Sequence, residues 1–134
     1  MENEICITIE SVSDIITARE QGRNIGKGLG FSSTDLTIIA TVISEVARNI
    51  IVFAKEGEIV LGTAKQGGRH GIVIIARDLG PGIPDIPLAM QDGYSTRKGL
   101  GLGLPGVRRL MDEFELMSDV GKGTTVTMKK WVYQ

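Results

Sequence analysis

Within TDLTIIATVISEVARNIIVF (residues 34–53), Glu45 and Asn49 stand four positions apart. That is one helical turn, so a carboxylate and an amide share a face. Their neighbours on that face include Ile38, Val42 and Val52, while Leu36, Ile39, Ile43, Val46, Ala47 and Ile50 form a separate apolar stripe suited to a sheet. A solvated helix would surround such a pair with Lys, Glu or Gln. In this greasy setting the pair can look into a cleft, the carboxylate orienting a nucleophile and the amide oxygen joining the ligand shell of a magnesium ion. The same residues would also serve as a polar pair pinning the helix to a loop.

Two glycine clusters offer matching chemistry. In KGLGLGLPGVRR (residues 98–109), Gly101, Gly103 and Gly106 have the spacing of a dinucleotide-binding loop. That loop must follow a buried parallel strand within a βαβ unit. Here DGYSTRK precedes it and a hairpin pattern follows, so a dinucleotide fold is excluded. Gly99, Gly101 and Gly103 instead place successive backbone N–H groups ahead of a helix, an arrangement suited to a polyphosphate, with Arg97 and Lys98 adding positive charge. A flexible surface loop before a helix reads the same way. In ARDLGPGIPD, Asp78 ends an apolar strand and can accept a hydrogen bond from the exocyclic amine of a base, with Gly80 and Gly82 letting the chain pass close to the ring. A tight turn capped by Asp78 is the alternative.

The elements that must position these groups alternate in type. Ile5, Ile7 and Ile9 alternate with Cys6 and Thr8, as in a half-buried strand. Ser13 is the expected cap of a first helix that stops at Gly28 or Gly30. Ser32 and Asp35 open a second helix running to about Phe53. EIVLGTAKQ and GIVIIARD flank GGRH, a hairpin signal that places His70 in a solvated turn. Pro105 suits the first turn of a third helix through Phe114, and FELMSD, GKG and TTVTMKKWVYQ read as a closing hairpin. Two hairpins mean antiparallel pairing with three helices on one face. The expected fold is an α/β (α+β) two-layer sandwich forming one domain over residues 1–134.

Composition narrows the function. The net charge of −1 lacks the electrostatic footprint of a nucleic-acid binder. No uninterrupted apolar run approaches the roughly 18 residues of a membrane span. The N-terminus reads as a strand and not as a signal peptide, so the cytoplasm is the expected location. One cysteine, Cys6, allows no internal disulfide. One histidine, His70, rules out a Ser-His-Asp triad and a multi-histidine zinc site. Glycine, 18 of 134 residues, is nearly twice its average share and concentrates after residue 57, marking loops.

Taken in order, Glu45-x-x-x-Asn49, Asp78-x-Gly80-x-Gly82, Gly99-x-Gly101-x-Gly103 and Gly121-x-Gly123-Thr124 resemble the N, G1, G2 and G3 boxes of the GHKL ATPase superfamily. The short lid, IPDIPLAMQDGYSTRKGL, is similar to that of the anti-sigma-factor kinase branch, and EVARNI, DLGPGIPDI, DGYST and GLGLPGVRRLMDEF resemble its stressosome switch kinases. This resemblance implies an ATP-dependent serine/threonine kinase with Mg²⁺, whose substrates are STAS-domain antagonists and whose second partner is a PP2C-type phosphatase. It implies Glu45 as general base, Asn49 as Mg²⁺ ligand, and Asp78 on adenine N6 with Thr124 or Thr125 nearby through water. Gly80 and Gly82 would shape the base pocket. Gly99, Gly101, Gly103 and Leu104 would cover the phosphates, with Arg48 and Arg97 as looser phosphate contacts and Tyr94, Ser95 and Thr96 in the lid. The glycine loop departs from many relatives in having no serine or threonine between its glycines. Two other readings remain at this point: a nucleotide-sensing module without turnover, and an energy-coupling ATPase, which lacks a transducer segment here.

Overall fold

A computed structural model describes residues 1–91 and 103–133. Its elements are β1 (Glu2–Ile9), α1 (Val12–Leu29), α2 (Ser33–Ala54), β2 (Gly57–Gln66), β3 (Arg69–Asp78), α3 (Ile86–Ala89), α4 (Gly103–Leu110), β4 (Glu113–Asp119) and β5 (Gly123–Trp131). The strands form one sheet in the order β1-β2-β3-β5-β4, and every neighbouring pair is antiparallel. The expected two-layer α+β sandwich is therefore found.

Local chemistry explains the boundaries. The Asp14 carboxylate accepts the backbone N–H groups of Glu10 and Ser11 at 2.9 and 3.0 Å. Ser11, not Ser13, is thus the cap of α1: an acidic residue in the first turn reaches back three positions and fixes the start. At the other end Gly30 takes a left-handed φ of 91° and stops the helix. The Ser32 hydroxyl accepts the Asp35 N–H at 3.1 Å and opens α2. The β2–β3 turn is Gly67–Gly68 alone, both with positive φ, so His70 lies in β3 opposite Lys65 and not in the turn. The third long helix ends at Leu110, and Phe114 belongs to β4, opposite Met128. Tertiary pairing with β5 wins that boundary. A short fourth helix, α3, lies in the stretch read as a lid, where Asp85 caps it by accepting the Leu88 N–H at 3.0 Å.

The core lies between the helices and one sheet face. The stripe expected on α2 is buried throughout, against Ile59, Leu61, Ile72, Ile74, Val126 and Met128 from the strands. Ala18, Gly22 and Gly26 line the side of α1 that meets α2, where a β-carbon on Gly22 would sit 2.1 Å from Ile43 Cδ1. The helix α2 has the length and composition of a membrane span, although half of it is buried in the fold as in a core helix. Its charged residues are Asp35 near the start and Glu45 and Arg48 in the second half, with the Asn49 amide beside them.

The end of the sheet that carries Asp78 is tightly crossed. Gly123 has φ of +104°, and a β-carbon there would stand 2.1 Å from the Asp78 carbonyl oxygen. Gly82, with φ of +79°, similarly abuts the Asp119 carbonyl oxygen at 2.3 Å. Backbone cannot yield as a side chain would. Strain and overpacking each contribute about 1–3 kcal/mol in such a case. Gly123→Ala is therefore expected to destabilise the fold by about 2–6 kcal/mol, read as a lower urea midpoint with an unchanged slope. An unchanged midpoint would contradict the crossing.

Candidate functional site

A cavity of about 300 Å³ opens between α2, the ends of β3 and β5, and the loop after β3. That is the lower end of the range for small-ligand sites. Glu45 and Asn49 form part of one wall, Asp78 and Thr124 part of another, and Gly103 and Leu104 close one end. Residues from four separate motifs therefore meet in one place. Ile50, Ala76 and Val126 give it an apolar floor.

Glu45 is the buried charged residue of this wall, 5% exposed among apolar neighbours. A buried carboxylate is costly unless paired and hydrogen-bonded. Both needs are met: Oε2 accepts from Arg48 Nη1 at 3.2 Å, and Oε1 accepts the Gly103 backbone N–H at 3.3 Å. The second bond pulls the start of α4 onto α2. At the other end of α4, Lys130 Nζ donates to the Leu110 carbonyl at 3.2 Å and lies 3.9 Å from Asp35. The helix that follows the glycine loop is thus held at both ends.

Asn49 is half-buried in the cavity wall, and among the described residues nothing hydrogen-bonds its side chain. Its amide oxygen is available to a ligand. No cluster of three His, Cys, Asp or Glu residues exists among the described residues, so a cation here would take most of its ligands from phosphate oxygens and water. That is the usual habit of Mg²⁺. The donor set fits a nucleotide-borne metal and not a protein-caged one.

Asp78 ends β3 opposite Thr124 of β5, and its Oδ1 accepts the Gly80 N–H at 2.9 Å. Strand alternation separates the two threonines. Thr124 faces the cavity, while Thr125 lies on the far face of the sheet, in a shallow groove with Glu58 and Arg77; Asp78 and Thr124 border both spaces. Gly82 lines the cavity, but Gly80 lies outside its wall, where a β-carbon would meet Ala54 at 2.6 Å. The glycines of this loop make room for protein packing as well as for a ligand. Arg48 also lines the cavity, as an ion-pair partner of Glu45. Arg97, Lys98, Gly99 and Gly101, with Tyr94, Ser95 and Thr96, lie outside the described residues.

Two sets of contacts were not read from the sequence, the pairing of Arg48 with Glu45 and those of Ser118. Arg48 is three positions from Glu45, a spacing at which pairing could have been anticipated. Ser118, by contrast, has no local signal, although it bonds Ile83, Gly123 and Thr124.

Comparison with known proteins gives the family. Residues 34–133 match the family of histidine kinase-, DNA gyrase B- and HSP90-like ATPases. The chain is 50% identical over 132 residues to the serine/threonine-protein kinase RsbT of Bacillus subtilis strain 168, covering 98% of this chain and 99% of that protein. It is 36% identical over 104 residues to the anti-sigma F factor of Thermoanaerobacter sp. strain X514, covering 73% of this chain and 71% of that protein. A Mycobacterium tuberculosis structure of RsbU and RsbW domains is similar, with a TM-score of 0.60 and 24% identity, over 95% of this chain, which spans 32% of that longer one. The SiaB–SiaC complex of Pseudomonas aeruginosa contains the same fold, with a TM-score of 0.58 and 15% identity, over 96% of this chain and 89% of that one. The chain belongs to the histidine kinase-, gyrase B- and HSP90-like ATPase family. Within that family it is of the RsbT kind.

On the far face of the sheet, Cys6 Sγ donates to Glu58 Oε2 at 2.8 Å, and Arg77 Nη2 lies 2.7 Å from Glu58 Oε1. The bond to the Glu58 carboxylate, then desolvation, holds the exposed Cys6 thiol above its ordinary pKa. Only the thiolate is a good nucleophile. Glu58→Gln removes the negative charge that disfavours the thiolate, so alkylation of Cys6 should accelerate and its pH midpoint should fall. An unchanged rate and pH midpoint of alkylation by iodoacetamide would refute this account of the thiol.

Proposed function

We propose that this chain transfers the γ-phosphate of ATP to serine or threonine hydroxyls of STAS-domain antagonist proteins of a stressosome. By exchanging partners it also activates a PP2C-type phosphatase in a sigma-factor pathway. The chain is a serine/threonine-protein kinase of an ATP-binding family. The finer reading is supported by the meeting of Glu45 and Asn49 with Asp78 and Thr124 around one cavity. Similarity to anti-sigma F factors supports a role in sigma-factor control. The proposed place of action is the cytoplasm, and neither nucleic acid nor membrane is a proposed partner.

In this reading Asp78 accepts a hydrogen bond from the adenine amine, with Thr124 beside it. Gly82 and the apolar floor hold the ring. Gly103 and Leu104, together with Gly99, Gly101, Arg97 and Lys98, hold the phosphates. Asn49 would hold Mg²⁺, which when bound neutralises phosphate charge. The substrate hydroxyl oxygen forms a bond to the γ-phosphorus as the bond to ADP breaks, and the proton passes to a Glu45 carboxylate oxygen. Transfer of this kind depends mostly on positioning and charge stabilisation. Arg48 orients the carboxylate, and the Gly103 N–H that now meets Glu45 is within the region assigned to phosphate. The engagement of both Glu45 oxygens favours a second reading, in which ATP governs association without turnover.

Two comparisons test these assignments. A positioned base contributes about 10²–10⁴-fold to rate. Glu45→Ala should therefore keep near-normal Mg·ATP affinity and lose phosphorylation of a STAS substrate by about that factor. Asn49→Ala should lose both binding and transfer. Transfer at the parental rate by Glu45→Ala places the base elsewhere, and no transfer by the parent favours the second reading. For the base pocket, guanine carries a carbonyl where adenine carries its amine, and a site left with unpaired polar groups discriminates strongly. Calorimetry should give ATP tighter than GTP, with Asp78→Asn weakening ATP. Equal affinities in the parent would remove Asp78 from its role.

A further inference from the structure

Ser118, in β4, is the hub of three polar contacts beside the base pocket. Its Oγ accepts the Ile83 N–H at 2.8 Å, lies 3.1 Å from the Gly123 carbonyl oxygen, and lies 2.8 Å from Thr124 Oγ1. A serine hydroxyl has one proton and two lone pairs. The Gly123 carbonyl can only accept, so it takes the Ser118 proton. The two lone pairs then accept from Ile83 N–H and from the Thr124 hydroxyl. This is the one assignment that satisfies all three contacts. Were Ser118 to donate to Thr124, two oxygens would face each other at 3.1 Å without a proton between them.

The Thr124 proton is thereby committed away from the cavity, and what Thr124 Oγ1 keeps for a ligand is lone pairs. Asp78, its cross-strand partner, offers carboxylate oxygens on the same wall. The side chains of Asp78 and Thr124 thus present acceptors only. A ligand edge carrying an N–H₂ group satisfies them, directly or through one water, whereas a carbonyl edge meets lone pairs with lone pairs. We infer that Ser118 is a specificity-determining residue for the nucleotide base: it sets the polarity of Thr124 so that the pocket selects an amino-bearing purine. The inference rests on the proposed binding of the base at Asp78. Ser118 touches no part of the base itself and acts through Thr124. Its bond to Ile83 also ties the loop after β3 to the β4–β5 hairpin, so affinity and selectivity have to be told apart.

Titration of the full chain with Mg·ATP and Mg·GTP makes that separation. In Ser118→Ala the Thr124 hydroxyl can turn and donate to a carbonyl. The ATP-over-GTP preference should fall about three- to tenfold, the worth of one hydrogen bond, and Ser118→Thr should restore it. Loss of affinity for both nucleotides in equal proportion would mean that Ser118 only props the loop, and would overturn the inference. If the parent itself shows no preference, the base assignment at Asp78 fails and this inference with it. If the parent discriminates and Ser118→Ala discriminates as well, only the role of Ser118 is lost. Should Ser118→Ala fail to fold by circular dichroism, Thr124→Val decides: it removes the oriented acceptor, so its preference must fall, and a parental ratio would overturn the proposal.

Discussion

A carboxylate placed on an apolar helix and packed away from water must find hydrogen-bond donors, and Glu45 organises the site by doing so. Its two oxygens recruit Arg48 from the next turn and the Gly103 N–H from the start of α4. The desolvation penalty for an unpaired buried charge is several kcal/mol, so neither partner is dispensable to this arrangement. The bond to Gly103 brings the far side of the glycine loop against α2. Without Glu45 the core would still close, because the stripe on α2 is complete without it. What would go is one polar tie between α2 and the start of α4, while the Lys130 bond to Leu110 and the burial of Val107 still hold that helix in place.

A second constraint acts at the opposite wall. The loop leaving β3 crosses the β4–β5 turn so closely that the Gly121 N–H donates to the Pro81 carbonyl at 2.8 Å, and neither Gly82 nor Gly123 has space for a β-carbon. These contacts are between backbones, which compress little. They fix Asp78 relative to Thr124, and Ser118 fastens the same crossing from the side. The rigidity of this wall contrasts with the Asn49 side, where an amide is left without a partner among the described residues. One wall is fixed by backbone contacts, and the other carries an amide with unused hydrogen-bonding capacity.

The far face of the sheet shows how a charged pair can quiet a reactive group. Glu58 stands between Arg77 and Cys6, and its own carboxyl is held below its ordinary pKa, first by the Cys6 hydrogen bond and then by Arg77. Its ionised form is retained to lower pH than usual, so the negative charge that suppresses the Cys6 thiolate persists wherever the thiol could ionise.

The sequence by itself determined what short-range periodicity and capping can encode. The α2 stripe from Leu36 to Ile50, the existence of the β2–β3 hairpin and the closing hairpin each follow from spacing within about twenty residues. The four ordered motifs named the family for the same reason, since each is a local run with its own chemistry. Boundaries set by competition were less legible. Asp14 reaches back to Ser11 and displaces Ser13 as the cap, and pairing with β5 takes Phe114 out of the third helix. Only tertiary structure decided the strand order, in which β5 enters between β3 and β4, and with it the placement of Thr124 across from Asp78 while alternation turns Thr125 to the other face. It alone joined Gly103 to Glu45 and Ser118 to Thr124 and Ile83. Those contacts link residues that are distant along the chain or sit on opposite arms of a hairpin, and nothing in either segment specifies the other until the sheet has closed.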